Sequence, residues 1–225
     1  MLIITGYSSE IGESTFDLLK EKNNFIFSGR FKPKSMRKSD VWLKLDLSSL
    51  KSVKSYIKKL VSFKKISGLI YIAAFQSGRK LLKDHSCEEI EKSIHVNLRS
   101  PLYIIRGLLI NKFKNFNIVL VGSEAAVFGG NNISAYSITK SAMHSFPKSL
   151  SKELGKNKIR INLISPSIIQ TKTLLKNVSD LKKLEQSTAL GRVGSPNEVA
   201  NLIEWLLGEK SSYITGSVIP ITGGR

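Results

Sequence analysis

The chain has 225 residues, 41% hydrophobic and 23% charged, proportions that exclude disorder, collagen-like repeats and a disulfide scaffold. Its 35 Lys and Arg against 17 Asp and Glu leave a formal charge of +18, which suits an anionic partner: nucleic acid, a membrane surface, a phosphorylated cofactor or an acidic carrier protein. The lysines recur along the whole chain with no basic tail or arm, so a solvated lysine-rich surface is the plainer reading. The longest apolar stretch, Leu69–Phe75, is far short of the roughly 20 residues a bilayer span takes. Met1 runs directly into an apolar strand, without a basic leader or a small-residue cleavage site, which argues against a secretory signal. Cys87 is the single cysteine and cannot close an internal disulfide, so a cytoplasmic location is expected. His85, His95 and His144 have no ligand neighbours at metal spacing, and no metal site is expected.

Short apolar runs alternate with amphipathic ones from end to end. Leu2–Thr5 is expected as a strand, followed by a turn and a helix over Ile11–Lys22. Phe25–Ser28 and Val41–Leu45 are the next strands. Ser48 and Ser49 offer caps for a helix with Leu50, Val53, Ile57, Leu60 and Val61 on one face. Leu69–Ala73 is a continuous apolar strand of the kind buried on both faces of a parallel sheet. A long helix is expected over Cys87–Ile110 with a kink at Pro101, then a strand at Ile118–Val121. A helix over Ser134–Leu154 should bend at Pro147. Ile159–Ile164 returns to strand, and after an irregular lysine-rich section Pro196 opens a helix to Leu207. Ser217–Ile221 is the last strand. The alternation predicts a single α/β domain over residues 1–225, a Rossmann-type doubly wound parallel sheet with helices on both faces. Ligands of such sheets bind beyond the carboxyl ends of the strands.

Two places carry candidate chemistry. At the first strand–helix junction, Thr5-Gly6-Tyr7-Ser8-Ser9-Glu10-Ile11-Gly12, Gly6 permits a tight turn and Gly12 a close helix–strand approach. The amides at the helix start would then face a phosphate. Two glycines after a strand also suit a plain turn. Downstream, Tyr136 and Lys140 are four residues apart and share a helix face. A nearby ammonium favours phenolate and would lower the tyrosine pKa. Ser123 follows the strand Ile118–Val121, where a substrate would lie, and Asn97 could complete a polar relay.

This pattern resembles the short-chain dehydrogenase/reductase family over nearly the whole chain. Gly6, Ser8, Ser9, Ile11 and Gly12 resemble its cofactor turn, and Asp46-Leu47 its contact to adenine. Asn97, Ser123, Tyr136 and Lys140 resemble its catalytic tetrad in order and approximate spacing. Ala73-Ala74 lies at the end of the central strand, where Tyr71-Ile72-Ala73-Ala74 replaces the usual Asn-Asn-Ala-Gly. Ile164-Ser165-Pro166-Ser167, with Thr171 beyond, is similar to the segment that holds the nicotinamide carboxamide. Gly191–Ala200, Thr215-Gly216 and Gly223-Gly224 are similar to the closing signature. Glu10 replaces the middle glycine of the turn, so its side chain must point away from the pyrophosphate, and Ser167 replaces the usual glycine after Pro166.

The resemblance implies an NAD(P)-dependent oxidoreductase working on an alcohol/carbonyl pair. Tyr136 would be its general acid/base, Ser123 would bond the reacting oxygen, Lys140 would hold the ribose, and Asn97 would position a relay water. No acidic residue ends the second strand, and Arg30 with Lys32 and Lys34 could neutralise a 2′-phosphate, so NADP(H) is expected over NAD(H). The resemblance further implies a homodimer or homotetramer. The substrate is a small carbonyl or alcohol, selected by Gln76–His85, Ala125–Ile133 and Thr173–Leu190. One candidate is a 3-oxoacyl chain on an acidic carrier protein, docked on Arg79, Lys80, Lys83 and Arg99. A sugar or secondary-metabolite ketoreductase and a non-catalytic cofactor-binding regulator are the alternatives. With no basic arm or aromatic–basic strand motif, neither nucleic acid nor membrane is expected as a partner.

Overall fold

A computed structural model describes residues 1–177 and 181–225; positions 178–180 of the segment expected to select substrate lie outside them. The strands are β1 (Leu2–Thr5), β2 (Phe25–Gly29), β3 (Val41–Lys44), β4 (Gly68–Tyr71), β5 (Asn117–Val121), β6 (Arg160–Pro166) and β7 (Val218–Ile221). They form one sheet in the order β3-β2-β1-β4-β5-β6-β7, every pair parallel. The order reverses between β1 and β4, and the crevice beyond their carboxyl ends is where such sheets bind ligands.

Strand alternation sends consecutive residues to opposite faces. Ile3, Ile26, Leu69, Tyr71 and Ile118 join one apolar layer, and Leu2, Ile4, Phe25, Phe27 and Ile70 the other. The first layer is closed by α2 (Leu50–Leu60), α4 (Ser100–Ile110), α6 (Ser134–His144) and α7 (Phe146–Leu154), the second by α1 (Glu10–Leu19) and α10 (Pro196–Leu207). Local signals set the helix starts. Ser49 accepts the Ser52 N–H at 3.3 Å at the head of α2. Ser195 and Glu198 form a reciprocal capping box around Pro196 at the head of α10.

Prolines decide two departures from expectation. The Cys87–Ile110 stretch is α3 (Cys87–Ile94), a π turn over His95–Arg99, and α4. Pro101 has no N–H for the Asn97 carbonyl four residues back, so the irregularity falls one turn before the proline, around Asn97 itself. The expected Ser134–Leu154 helix breaks at Ser145, because Pro147 cannot donate to the Met143 carbonyl. Elsewhere α1 stops at Leu19 rather than Lys22 and β4 at Tyr71 rather than Ala73. Three short helices were not expected: α5 (Ala125–Phe128), α8 (Lys172–Asn177) and α9 (Leu181–Gln186).

Candidate active site

The β1–α1 turn is built by contact. Gly6 has φ +74°, a conformation L side chains rarely adopt, and a Cβ there would come within 2.5 Å of the Ala73 nitrogen. A Cβ at Gly12 would lie 2.5 Å from the Gly6 carbonyl oxygen and 2.6 Å from Tyr7 Cα. Ser9 caps α1: its Oγ donates to the Gly6 carbonyl at 2.8 Å and accepts the Gly12 N–H at 3.2 Å. The first-turn amide of Ile11 is left with no intrahelical acceptor, while Ser8 is exposed at the tip. The Glu10 carboxylate bonds its own amide and leans toward α8. It reaches across 162 positions to accept the Lys172 N–H at 2.7 Å at the head of α8, and that bond holds its pKa below the ordinary value.

Tyr136, Lys140 and Ser123 converge at the carboxyl end of β5. Lys140 is 1% exposed, and its Nζ donates to the Val121 carbonyl at 2.7 Å. The same nitrogen lies 5.8 Å from the Tyr136 ring centre. Loss of water pushes Lys140 down to about 7. Tyr136 is half-buried. Burial pushes its hydroxyl above the ordinary value, with a smaller opposing pull from hydrogen bonding to Ser123. The expected depression of the tyrosine by Lys140 is therefore not what this geometry produces, since the ammonium is turned to Val121 and is itself half-neutral near pH 7. On the next turn of α6, His144 Nε2 accepts the Ser123 N–H at a long 3.5 Å. Burial, then Lys140, lowers the His144 pKa.

Asn97 lies in the π turn, fully buried, and its carboxamide is spent on structure. Its Oδ1 accepts the Phe75 N–H at 2.8 Å, and its Nδ2 donates to the Phe75 carbonyl at 2.9 Å and the Thr139 hydroxyl at 3.0 Å. Tyr71, at one of the positions where amides are usual, donates its buried hydroxyl to the Val96 carbonyl at 2.6 Å. Together these bonds tie the end of β4 to the π turn. Sequence reading missed Phe75, Thr139 and His144; only Thr139 and His144 had a signal, their spacing from Tyr136 and Lys140 on one helix.

The other expected cofactor contacts are spread around the crevice. Arg30 is exposed just past β2, its guanidinium 5.8 Å from the Phe31 ring centre. Asp46 accepts the Ser48 N–H and hydroxyl at 3.0 and 2.7 Å, which lowers its pKa. The Leu47 carbonyl is taken by Ser100 Oγ at 2.6 Å. Ala73 lies against Gly6 and Ala74 is exposed. Pro166 ends β6 buried, its carbonyl accepting the Glu124 N–H at 2.8 Å, and Thr171 Oγ1 accepts the Leu174 N–H at 3.2 Å to cap α8. Of the four residues expected to dock an acidic carrier, two are occupied: Lys80 is paired with Glu89 at 2.7 Å and Arg99 with Glu91 at 3.2 Å. Among the described residues no cluster of His, Cys, Asp or Glu could hold a metal, and no helix is long and apolar enough to cross a membrane.

A family model described as enoyl-(acyl carrier protein) reductase matches residues 31–225. The chain is 31% identical to a 3-oxoacyl-(acyl-carrier-protein) reductase of Buchnera aphidicola subsp. Schizaphis graminum, over 85% of this chain and 80% of that one. It is 27% identical to the enzyme of the same name from Thermotoga maritima, over 99% and 96%. Among solved structures it superposes on a short chain dehydrogenase family protein from Francisella tularensis with a TM-score of 0.88 and 28% identity, covering 99% of this chain and 96% of that one.

Proposed function

Because the chain belongs to the short-chain dehydrogenase/reductase family and is an oxidoreductase, we propose that it reduces a carbonyl to an alcohol with NADPH, using Tyr136 as the proton donor. The observation that carries this reading is the convergence of Tyr136, Ser123 and Lys140 on the carboxyl end of β5. The residues fit a dinucleotide. A Cβ at Gly6 or Gly12 would fill the turn, the Ile11 amide has no intrahelical acceptor at the helix start, and Lys140 has an N–H to spare beyond Val121 and its 3.9 Å contact to Met143 sulfur. Gly6, Ser8, Ser9, Ile11 and Gly12 would hold the pyrophosphate, Asp46, Leu47, Ala73 and Ala74 the adenosine side, and Pro166 and Thr171 the carboxamide. Arg30 would meet a 2′-phosphate. Bound there, the reduced nicotinamide supplies a hydride to the carbonyl carbon.

Tyr136 then gives its proton to the carbonyl oxygen. A phenol is protonated at neutral pH even at its ordinary value, so Tyr136 has a proton to give. Ser123 Oγ bonds the same oxygen as charge develops on it. Lys140 would hold the ribose hydroxyls and resupply the proton, a task suited to an ammonium that ionises near pH 7. Asn97 acts by holding Phe75 and Thr139 in place beside α6. Tyr136→Phe should abolish nicotinamide-linked turnover on a carbonyl panel; retention of most of it would remove the tyrosine from this role.

A 3-oxoacyl thioester on an acidic carrier protein is the substrate class we favour. The two relatives named above carry that activity in their names. Val127 and Phe128, on α5 just past Ser123, are 65% and 75% exposed and would meet an apolar chain. With Lys80 and Arg99 paired, Arg79 and Lys83 are left to steer the carrier, raising association more than affinity. Reduction of acetoacetyl-carrier protein should then exceed that of the pantetheine thioester in kcat/KM, by a margin that salt erodes; equal values would reject the carrier. We further infer one catalytic domain over residues 1–225 that works in the cytoplasm as a homodimer or homotetramer, which an elution mass of one chain would contradict.

A further inference from the structure

The α2–β4 and α4–β5 connections lie at the amino-terminal edge of the sheet, opposite the active site. They line a cavity of about 210 Å³, open to solvent, whose lining includes the exposed Lys64, Lys65, Lys112 and Lys114, with Phe63 and Phe113 among its walls. The walls are built rather than loose. Phe63 N–H donates to the Leu60 carbonyl at 3.1 Å, Phe113 N–H to Leu108 at 3.2 Å, and Asn115 N–H to Asn157 at 3.1 Å. None of the four lysines is in an ion pair among the described residues. The sequence on either side of the lining residues, positions 47–83 and 92–123, contains no Asp or Glu. The field is felt nearby: the Met1 amino group, 3.3 Å from the Lys65 carbonyl, is held below its ordinary pKa by burial first and by Lys65 second.

Helix polarity accounts for only part of this charge. The cavity sits past the carboxyl ends of α2 and α4, each worth about half a negative charge. Two helix ends offset about one of the four lysines and leave a surplus of about three positive charges. A single carboxylate would neutralise a third of it. Linked phosphates carry several charges in a small volume, and lysine is a point-charge phosphate binder. We propose that this cavity is a binding site for an oligophosphate, as a free anion or as a phosphorylated lipid headgroup, separate from the crevice at the other edge of the sheet.

The test is calorimetric titration of the full chain with inorganic tripolyphosphate under saturating NADPH. It compares wild type with the Lys64→Ala/Lys114→Ala pair and with a Lys148→Ala/Lys152→Ala pair. The second pair removes the same charge from the exposed face of α7, so it reads the general field of the protein. We expect one saturable site per chain, weakened at least about tenfold in the cavity variant and less than about twofold in the control. Equal losses in both variants, more than one site, or no saturable binding would overturn the proposal. Sedimentation with phosphatidylcholine vesicles containing phosphatidylinositol bisphosphate separates the two sources. Retention lost only in the cavity variant assigns the headgroup, and tripolyphosphate binding without retention assigns the free anion. Displacement of tripolyphosphate by duplex DNA, impaired equally in both variants, would reassign the charge to a nucleic-acid face and overturn the site.

Discussion

Replacing Asn97 by Ala removes a fully buried carboxamide with three hydrogen bonds, at 2.8 and 2.9 Å to the Phe75 backbone and 3.0 Å to Thr139. A neutral bond contributes about 1 kcal/mol net, and a buried partner left unsatisfied costs about 1–3 kcal/mol. Thr139 keeps a second partner, the Tyr136 carbonyl at 2.8 Å, so the stranded groups are the N–H and carbonyl of Phe75. That segment is half-buried, and water can reach part of it, which puts the loss at the low end, about 3 kcal/mol in all. For a chain of this size about 1 kcal/mol moves Tm by roughly 2–4 °C, so Tm should fall by about 6–12 °C. Urea unfolding at fixed protein concentration should show a lower midpoint with an unchanged slope. Thr139→Val, which breaks only one of the three bonds to Asn97, should cost about 1 kcal/mol, and the double variant less than the sum because the two share a contact. An Asn97→Ala midpoint shift worth under about 0.5 kcal/mol would refute the view that this side chain latches the end of β4 to the π turn.

Lys140 should leave a mark on the pH dependence of stability. Its folded pKa of about 7 lies below the unfolded 10.5, so between these values the unfolded chain binds the extra proton and stability rises with pH. Lys140→Met should flatten that rise between about pH 7 and pH 9 in a thermal scan and abolish turnover; identical slopes would show that the ammonium is not desolvated. Gly12→Ala drives a Cβ into the Gly6 and Tyr7 backbone, so it should lower Tm and weaken cofactor binding together, read by melting and nicotinamide fluorescence. Arg30→Ala should weaken NADPH about tenfold and leave NADH unchanged; equal changes for both would remove the 2′-phosphate argument.

Much of this protein is written in neighbouring residues. The parallel sheet follows from buried strands such as Leu2–Thr5 and Gly68–Tyr71, and helix starts follow from Ser49 and the Ser195–Glu198 box. Pro101 and Pro147 announced disturbance in the right helices, because a missing N–H acts within one turn. Gly6 with Gly12 and Tyr136 with Lys140 were legible for the same reason, each pair being set by spacing along one element. Only the folded chain decided what the side chains meet. The carboxamide of Asn97 went to Phe75, the ammonium of Lys140 to Val121, and the carboxylate of Glu10 to an amide 162 positions away. Folding paired Lys80 and Arg99 with acids and left Lys64, Lys65, Lys112 and Lys114 unpaired around one cavity. Propensity and capping are energies of adjacent residues, whereas burial, hydrogen-bond partners and pKa depend on groups that tertiary packing brings together.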